Sequence, residues 1–217
     1  MDMERARFNM VEQQIRPWEV LNDKVLDLLF KVRRENFVPD SYKKLAFADM
    51  QIPLGNGEVM LEPKLEARIL QELELRDGDR VLEVGTGSGY MTALLAHFAA
   101  HVYSVEIVPE LAEEAKRKLE SRGIENVTVE TGDAARGWDR HGPYDVIVIT
   151  GSLPVLPEAF QQSLKVDGRL FAIVGEAPAM RAELITRVSA DAFRREDLFE
   201  TCVPPLRNVQ TPSRFVF

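Results

Sequence analysis

The stretch Val81-Leu82-Glu83-Val84-Gly85-Thr86-Gly87-Ser88-Gly89-Tyr90 limits the fold more than any other part of this chain. An apolar run with one acidic residue leads straight into a glycine-dense turn, and a helix-like run from Met91 to Phe98 follows. That order reads as strand, tight loop and helix N-terminus. Glycine lets the backbone pass through φ > 0 and lets a ligand come close, because no Cβ intervenes. A helix start adds free N–H groups. The spacing is Glu-x-Gly-x-Gly-x-Gly, not the dinucleotide fingerprint Gly-x-Gly-x-x-Gly, whose third glycine falls here on Tyr90. A tyrosine there obstructs the close helix–strand packing that glycine serves, which counts against an NAD-dependent oxidoreductase.

From residue 80 onward strands and helices alternate. Strands are predicted at 80–84, 101–106, 127–130, 144–149 and 168–174, and helices at 90–99, 109–121 and 155–165. Such alternation predicts an α/β fold, with a mainly parallel twisted sheet covered by helices on both faces. After Gly175 the pattern changes to two strands, 182–189 and 195–203, with little helix between them, so the sheet should end antiparallel. Ahead of the core, residues 3–15 read as a helix ending before Pro17, and Asn22 is placed to cap a second helix running to about Arg34. A short helix is expected at 40–48, an irregular loop over 52–63, and an amphipathic helix at 64–75. The chain therefore reads as one domain over 1–217, a helical N-terminal extension (1–75) packed on an α/β core (76–217).

Composition narrows the partners. The net charge of −8 disfavours nucleic acid as a main partner, since nucleic-acid binders carry basic surfaces. No stretch approaches the roughly 18 apolar residues of a membrane helix, and the charged start is not a secretory signal. The single cysteine, Cys202, allows no intramolecular disulfide and is expected to be a buried structural thiol, consistent with a reducing, cytoplasmic setting. His97, His101 and His141 lack metal-ligand spacing, so no metal is expected. The pairs Arg33-Arg34, Lys43-Lys44 and Arg194-Arg195 read as solvated faces. Phe215 and Phe217 have three open roles: packing on the domain, covering the site, or meeting a partner chain.

Ligands of open α/β sheets bind at the carboxyl ends of strands. The glycine loop ends the first core strand. Glu106 ends the second, about 20 residues on, where a carboxylate can accept both ribose hydroxyls. Gly132-Asp133-Ala134 follows the third, where an acid can bond an adenine amino group, and Thr150-Gly151-Ser152 follows the very apolar fourth. Each has a purely structural alternative: a helix-start carboxylate at Glu106, an N-cap at Asp133, a plain turn at Thr150. Their occurrence in order at strand ends favours a nucleoside-containing cofactor.

The glycine stretch resembles motif I of class I S-adenosylmethionine (SAM) methyltransferases, which implies a Rossmann-like fold. The resemblance sharpens, over nearly the whole chain, to protein-L-isoaspartate O-methyltransferases. It rests on Met10-Val11-Glu12-Gln13-Gln14-Ile15-Arg16, Val25-Leu26, Val32-Arg33-Arg34-Glu35-Asn36-Phe37-Val38-Pro39, Ala46-Phe47-Ala48-Asp49, Pro53-Leu54-Gly55-Asn56-Gly57 and Pro63. It continues through Asp79 to Tyr90, Val102 to Glu106, Gly132-Asp133, Pro143-Tyr144-Asp145 and Gly168-Arg169-Leu170. It implies methyl transfer from SAM, leaving S-adenosylhomocysteine (SAH), to the side-chain carboxylate of isoaspartyl residues in damaged protein. The ester then closes to a succinimide, whose hydrolysis restores some aspartate. The cofactor set it implies is Glu83, Gly85, Thr86, Gly87, Ser88, Gly89, Glu106, Ile107, Asp133, Ala134 and Thr150.

The chain departs from that family in the substrate loop. After the Gly-x-Gly the family usually reads Gln-Thr-Ile-Ser, the serine helping to hold the reacting carboxylate; this chain reads Glu58-Val59-Met60-Leu61. The C-terminal strand departs too, reading Cys202-Val203-Pro204-Pro205-Leu206-Arg207-Asn208 where the family has something like Val-Pro-Leu. No side chain is required as acid or base, because the leaving group is neutral and a carboxylate is ionised at pH 7. Losing a hydrogen bond to a charged group costs about 1.5–3 kcal/mol. An ionised Glu58 repels an anionic acceptor by about 1–4 kcal/mol at about 4 Å. Three readings follow, with Asn56, Glu58, Val59 and Leu61 as the candidate substrate loop. One is a working isoaspartyl methyltransferase that uses other donors, such as backbone N–H groups of the loop. Another is an O- or N-methyltransferase for a different acceptor, a small molecule included, with Glu58 as base. The last is a SAM-binding protein without catalysis. A protein or peptide substrate is the expected partner; oligomeric state is left open.

Overall fold

A computed structural model describes residues 2–211, so the aromatic tail at Phe215 and Phe217 lies outside the described residues. The first helix, α1 (Met3–Met10), is capped by Asp2, whose side chain accepts from the N–H groups of Glu4 and Arg5 at 3.1 and 3.2 Å. It continues as a π-helical turn (Val11–Ile15) and a 3₁₀ turn (Arg16–Trp18), so the single helix expected over 3–15 changes its winding at residue 11. Helix α2 (Asp23–Lys31) is capped by Asn22 as the sequence predicts, and ends three residues before Arg34. The short helix expected at 40–48 is a 3₁₀ helix, Asp40–Leu45.

The irregular loop expected over 52–63 is instead a hairpin of β1 (Ile52–Gly55) and β2 (Glu58–Met60). Asn56 and Gly57 form its turn at φ 54° and 84°. Positive φ at both central residues suits a two-residue hairpin and explains the Asn-Gly pair. Pro53 is tolerated because this is a two-stranded ribbon with free edges. Helix α3 (Pro63–Leu73) completes the extension, its first turn opened by proline.

The core runs β3 (Arg80–Val84), α4 (Tyr90–Phe98), β4 (His101–Glu106), α5 (Pro109–Glu120), β5 (Val127–Thr131), β6 (Tyr144–Leu153), α6 (Glu158–Gln162), β7 (Leu164–Glu176), β8 (Ala179–Arg187) and β9 (Phe193–Thr201). The sheet order is β5-β4-β3-β6-β7-β8-β9. Pairs from β5 to β7 are parallel and the last two antiparallel, giving the predicted Rossmann-like sheet with an antiparallel end. Helix α6 is shorter than the 155–165 expected, since Pro157 precedes it and the chain enters β7 at Leu164. Strands β8 and β9 begin earlier than expected, because the chain reverses directly after Glu176.

Side-chain alternation sends the central strands into two cores. Val81, Val146 and Val148 join a cluster with Leu94 and, from the extension, Met10, Leu28 and Leu70. Leu82, Val84, Ile147 and Ile149 join a second cluster with Phe160 on the opposite face. The extension thus shares its core with one face of the sheet and carries the hairpin over the sheet's carboxyl edge. Cys202 is exposed, not buried: it lies just past β9, and its neighbour Val203 takes the buried position. None of the described helices is long and apolar enough to cross a membrane.

Candidate active site

Strand order reverses between β3 and β6: the chain fills β4 and β5 on one side, then crosses to the other. A crevice opens at such a switch point, above the carboxyl ends of the two strands. Gly85 follows β3, and Thr150 stands where β6 leaves its pairing with β3 at Ile149. Strand β6 itself runs on to Leu153, past the 144–149 expected, so Thr150-Gly151-Ser152 belongs to the strand rather than following it. Thr150 Oγ1 donates to the carbonyls of Val84 and Gly85 at 2.9 and 2.8 Å. Gly85 stands at φ 96°, and a Cβ on it would collide with that hydroxyl. The loop returns through Gly87 (φ 51°) to Gly89 (φ 82°), the cap of α4.

Glu106, at the end of β4, is almost fully buried. Its Oε2 accepts from the N–H of Gly87 at 2.8 Å and its Oε1 from Val108 at 2.9 Å. The carboxylate therefore ties the glycine loop to β4, while the residue still lines the cleft beside Ile107. Beyond β5, Gly132, Asp133 and Ala134 line the same cleft. Asp133 Oδ1 accepts from Ala135 N at 3.0 Å, a local turn bond with no helix behind it, and Oδ2 accepts from Asn208 Nδ2 at 2.9 Å. The hairpin supplies the far wall. Glu58, Val59 and Leu61 line an adjoining pocket with Gly85, Gly87, Glu106 and Thr150, and Thr86 and Ser88 face its inner end.

Three predicted residues stand elsewhere. Glu83 is fully buried beneath the loop, accepting from Thr92 Oγ1 at 2.5 Å and Ser104 Oγ at 2.6 Å. Burial pushes its carboxyl up to about 8 against the pull of those two hydroxyls. Gly89 is needed for helix packing: a Cβ would stand 3.1 Å from Ala115 Cβ of α5. Asn56 is the hairpin turn, and its carbonyl rather than its side chain is used, by Arg207. Tyr90, which displaces the dinucleotide pattern, is buried away from the cleft against Phe37 of the extension, with ring centroids 5.5 Å apart.

Sequence reasoning assigned no role to the groups that close the site. Leu206, Arg207 and Asn208 cross the cleft after the last strand. Arg34, expected on a solvated face, is fully buried; it donates to Glu66, to the Ala46 carbonyl at 2.9 Å and to the Leu61 carbonyl at 2.6 Å. Glu66 lines the inner pocket, and burial pushes it up to about 7 despite the opposing Arg34 charge. The only sequence signal for Arg34 was its place in the block Val32-Arg33-Arg34-Glu35-Asn36-Phe37-Val38-Pro39.

The donor set fits a nucleoside cofactor. Carboxylates at Glu106 and Asp133 line a cleft whose apolar wall is Val84, Ile107, Ala134 and Leu206, and the paired Glu58 and Arg207 line it too. Apolar walls suit a purine, and the acids suit hydroxyl and amine donors.

The sequence pattern of one family, Protein-L-isoaspartate(D-aspartate) O-methyltransferase (PCMT), matches residues 5–209. The chain belongs to this family. The protein-L-isoaspartate O-methyltransferase of Protochlamydia amoebophila is 38% identical over 200 residues, covering 91% of this chain and 94% of that protein. That of Gloeobacter violaceus is 41% identical over 199 residues, covering 91% and 97%. Among solved structures, a protein-L-isoaspartate O-methyltransferase superposes with a TM-score of 0.79 at 26% identity over 94% of this chain; the chain spans 65% of that protein. A Plasmodium falciparum protein titled a putative member, in complex with SAH, gives 0.78 at 19% identity, covering 95% of this chain and 99% of that one, a likeness of fold. Membership makes the chain a SAM-dependent methyltransferase.

Proposed function

We propose that this chain methylates the side-chain carboxylate of isoaspartyl residues in proteins. The observation that carries the reading is the meeting of hairpin and glycine loop: Val59 and Leu61 line one pocket with Gly85, Gly87 and Thr150. SAM, when bound, supplies an electrophilic methyl carbon on a sulfonium, with a neutral thioether as leaving group. On this reading Gly85, Thr86, Gly87 and Ser88 hold its amino-acid end, Glu106 and Ile107 its ribose, and Asp133 and Ala134 its adenine. Glu83, Gly89 and Thr150 hold the loop in shape from beneath and behind.

The acceptor carboxylate is already ionised at neutral pH, so the chain's contribution is positioning. The repulsion expected from Glu58 is offset in place, since Arg207 Nε donates to Glu58 Oε1 at 2.7 Å. Val59 and Leu61 offer no polar side-chain atom, so backbone N–H groups of the hairpin are left to hold the acceptor. Arg34 fixes that hairpin from below through the Leu61 carbonyl. A protein acceptor fits an open cleft at the sheet edge, and a single cysteine fits a cytoplasmic setting.

The test is incubation with methyl-labelled SAM and an isoaspartyl peptide. The expected product is label that mild base releases as methanol, the mark of an ester. Stable label, or none with SAM bound, sinks the carboxylate reading and points to another acceptor or to lost catalysis.

A further inference from the structure

We propose that residues 206–208 form a strap that retains the cofactor, with Arg207 as its positioning residue, latched to Glu58 on one bank of the cleft while Asn208 holds Asp133 on the other. The inference rests on the cofactor assignment above and goes beyond it in naming what governs exchange.

The strap has a fixed root. Ser152, fully buried beyond Thr150, donates its N–H to the Pro204 carbonyl and its hydroxyl to the Val203 carbonyl, both at 3.0 Å, and accepts from Leu206 N at 3.0 Å. From this root Leu206 lies on the glycine loop: a Cβ added to Gly151 would stand 2.7 Å from Leu206 Cδ2, and one on Gly85 3.8 Å from it. The next two residues reach in opposite directions. Arg207 donates to Glu58 Oε1 at 2.7 Å and to the Asn56 carbonyl, gripping both the strand and the turn of the hairpin. Asn208 donates to Asp133 Oδ2 at 2.9 Å. The strap thus spans from the hairpin to the end of β5, over the cleft that Glu106, Ile107 and Asp133 line.

Charge explains why the latch falls on Arg207. Glu58, Glu106 and Asp133 all face this cleft, and Arg207 is the only basic residue lining it or its two adjoining pockets among the described residues. The pair is also built to open. The Arg207 and Glu58 side chains are 43% and 28% exposed, so the bond is weak and screened by salt. A buried pair would trap product; an exposed one holds the strap down yet lets it lift. The acid at 58, where the family usually has glutamine, thereby gains a role unrelated to the acceptor.

The test follows SAH release by stopped-flow displacement, a readout that needs no acceptor and so stands apart from the isoaspartyl reading. Arg207→Met should speed release by about threefold or more, and Asn208→Ala should act in the same direction. High salt should speed release from the parent and leave Arg207→Met unmoved, which a merely structural residue would not produce. The charge exchange Glu58→Arg with Arg207→Glu should return the rate toward the parent. Parental release rates in Arg207→Met and Asn208→Ala overturn the strap while leaving the cofactor assignment standing. No SAH binding by the parent overturns both.

Discussion

Glu106 does two things at once: its carboxylate accepts the N–H groups of Gly87 and Val108, and the residue lines the cleft. Glu106→Ala should therefore weaken SAH binding by about tenfold or more, since hydrogen bonds to a charged group contribute about 1.5–3 kcal/mol each; unchanged affinity by calorimetry would refute the assignment. Gly85→Ala puts a Cβ into Thr150 Oγ1 at a φ of 96°. It should cost about 1–3 kcal/mol in urea unfolding and abolish SAH binding. Glu83 makes a pH prediction. Its folded carboxyl is pushed up to about 8, above its unfolded value, so the stability it contributes is full in acid and lost as pH rises toward 8. Melting temperature should fall across that range, and Glu83→Gln, which has no proton to lose, should flatten the slope. These residues differ in how far sequence reveals them. The glycine loop and Glu106 show themselves because strand ends can be read from hydrophobic runs. Glu83 misleads because sequence does not say which face of β3 it takes; the structure turns it to the α4 side, onto Thr92 and Ser104.

Among the elements, the hairpin that lines the pocket beside the glycine loop was the least readable. Its prolines and glycines argue for a loop, while the Asn56-Gly57 turn and its pairing of Ile52 with Met60 make two short strands. A ribbon this small is not stable alone. Arg34 supplies the missing support, joining the 3₁₀ turn Arg34–Asn36, the Leu61 carbonyl after β2 and Glu66 of α3. Arg34→Met should destabilise the fold by about 3–5 kcal/mol in chemical denaturation, because Glu66 is left buried and unpaired. Arg34→Met with Glu66→Met should recover much of that loss; a double variant as unstable as the single would contradict a paired role. The basic dipeptide Arg33-Arg34 gave no sign of this, since adjacent residues of one type can point to opposite environments: Arg33 is exposed and Arg34 fully buried.

At the scale of the molecule, the alternating pattern from residue 80 carried the parallel sheet, and the change of pattern after Gly175 carried its antiparallel end; the strand order, and with it the switch point, came only from the fold. What stayed hidden was everything that long-range folding brings together. Glu58 and Arg207 lie 149 residues apart, and Asp133 and Asn208 75 apart; nothing local to either pair foretells the contact. That contact changes the chemical account, because an acid that looked hostile to an anionic acceptor is held by its own counter-charge. The proposed isoaspartyl acceptor has to be held despite the apolar side chains of Val59 and Leu61. The most direct measurement is the ratio of initial methylation rates for an isoaspartyl peptide and the same peptide with ordinary aspartate, mixed in equal amounts. A preference of about a hundredfold or more for the isoaspartyl form is expected, the scale set by a site whose polar groups fit one isomer and are left unpaired by the other. Equal rates, or methyl transfer to neither peptide by a protein that binds SAM, would contradict it.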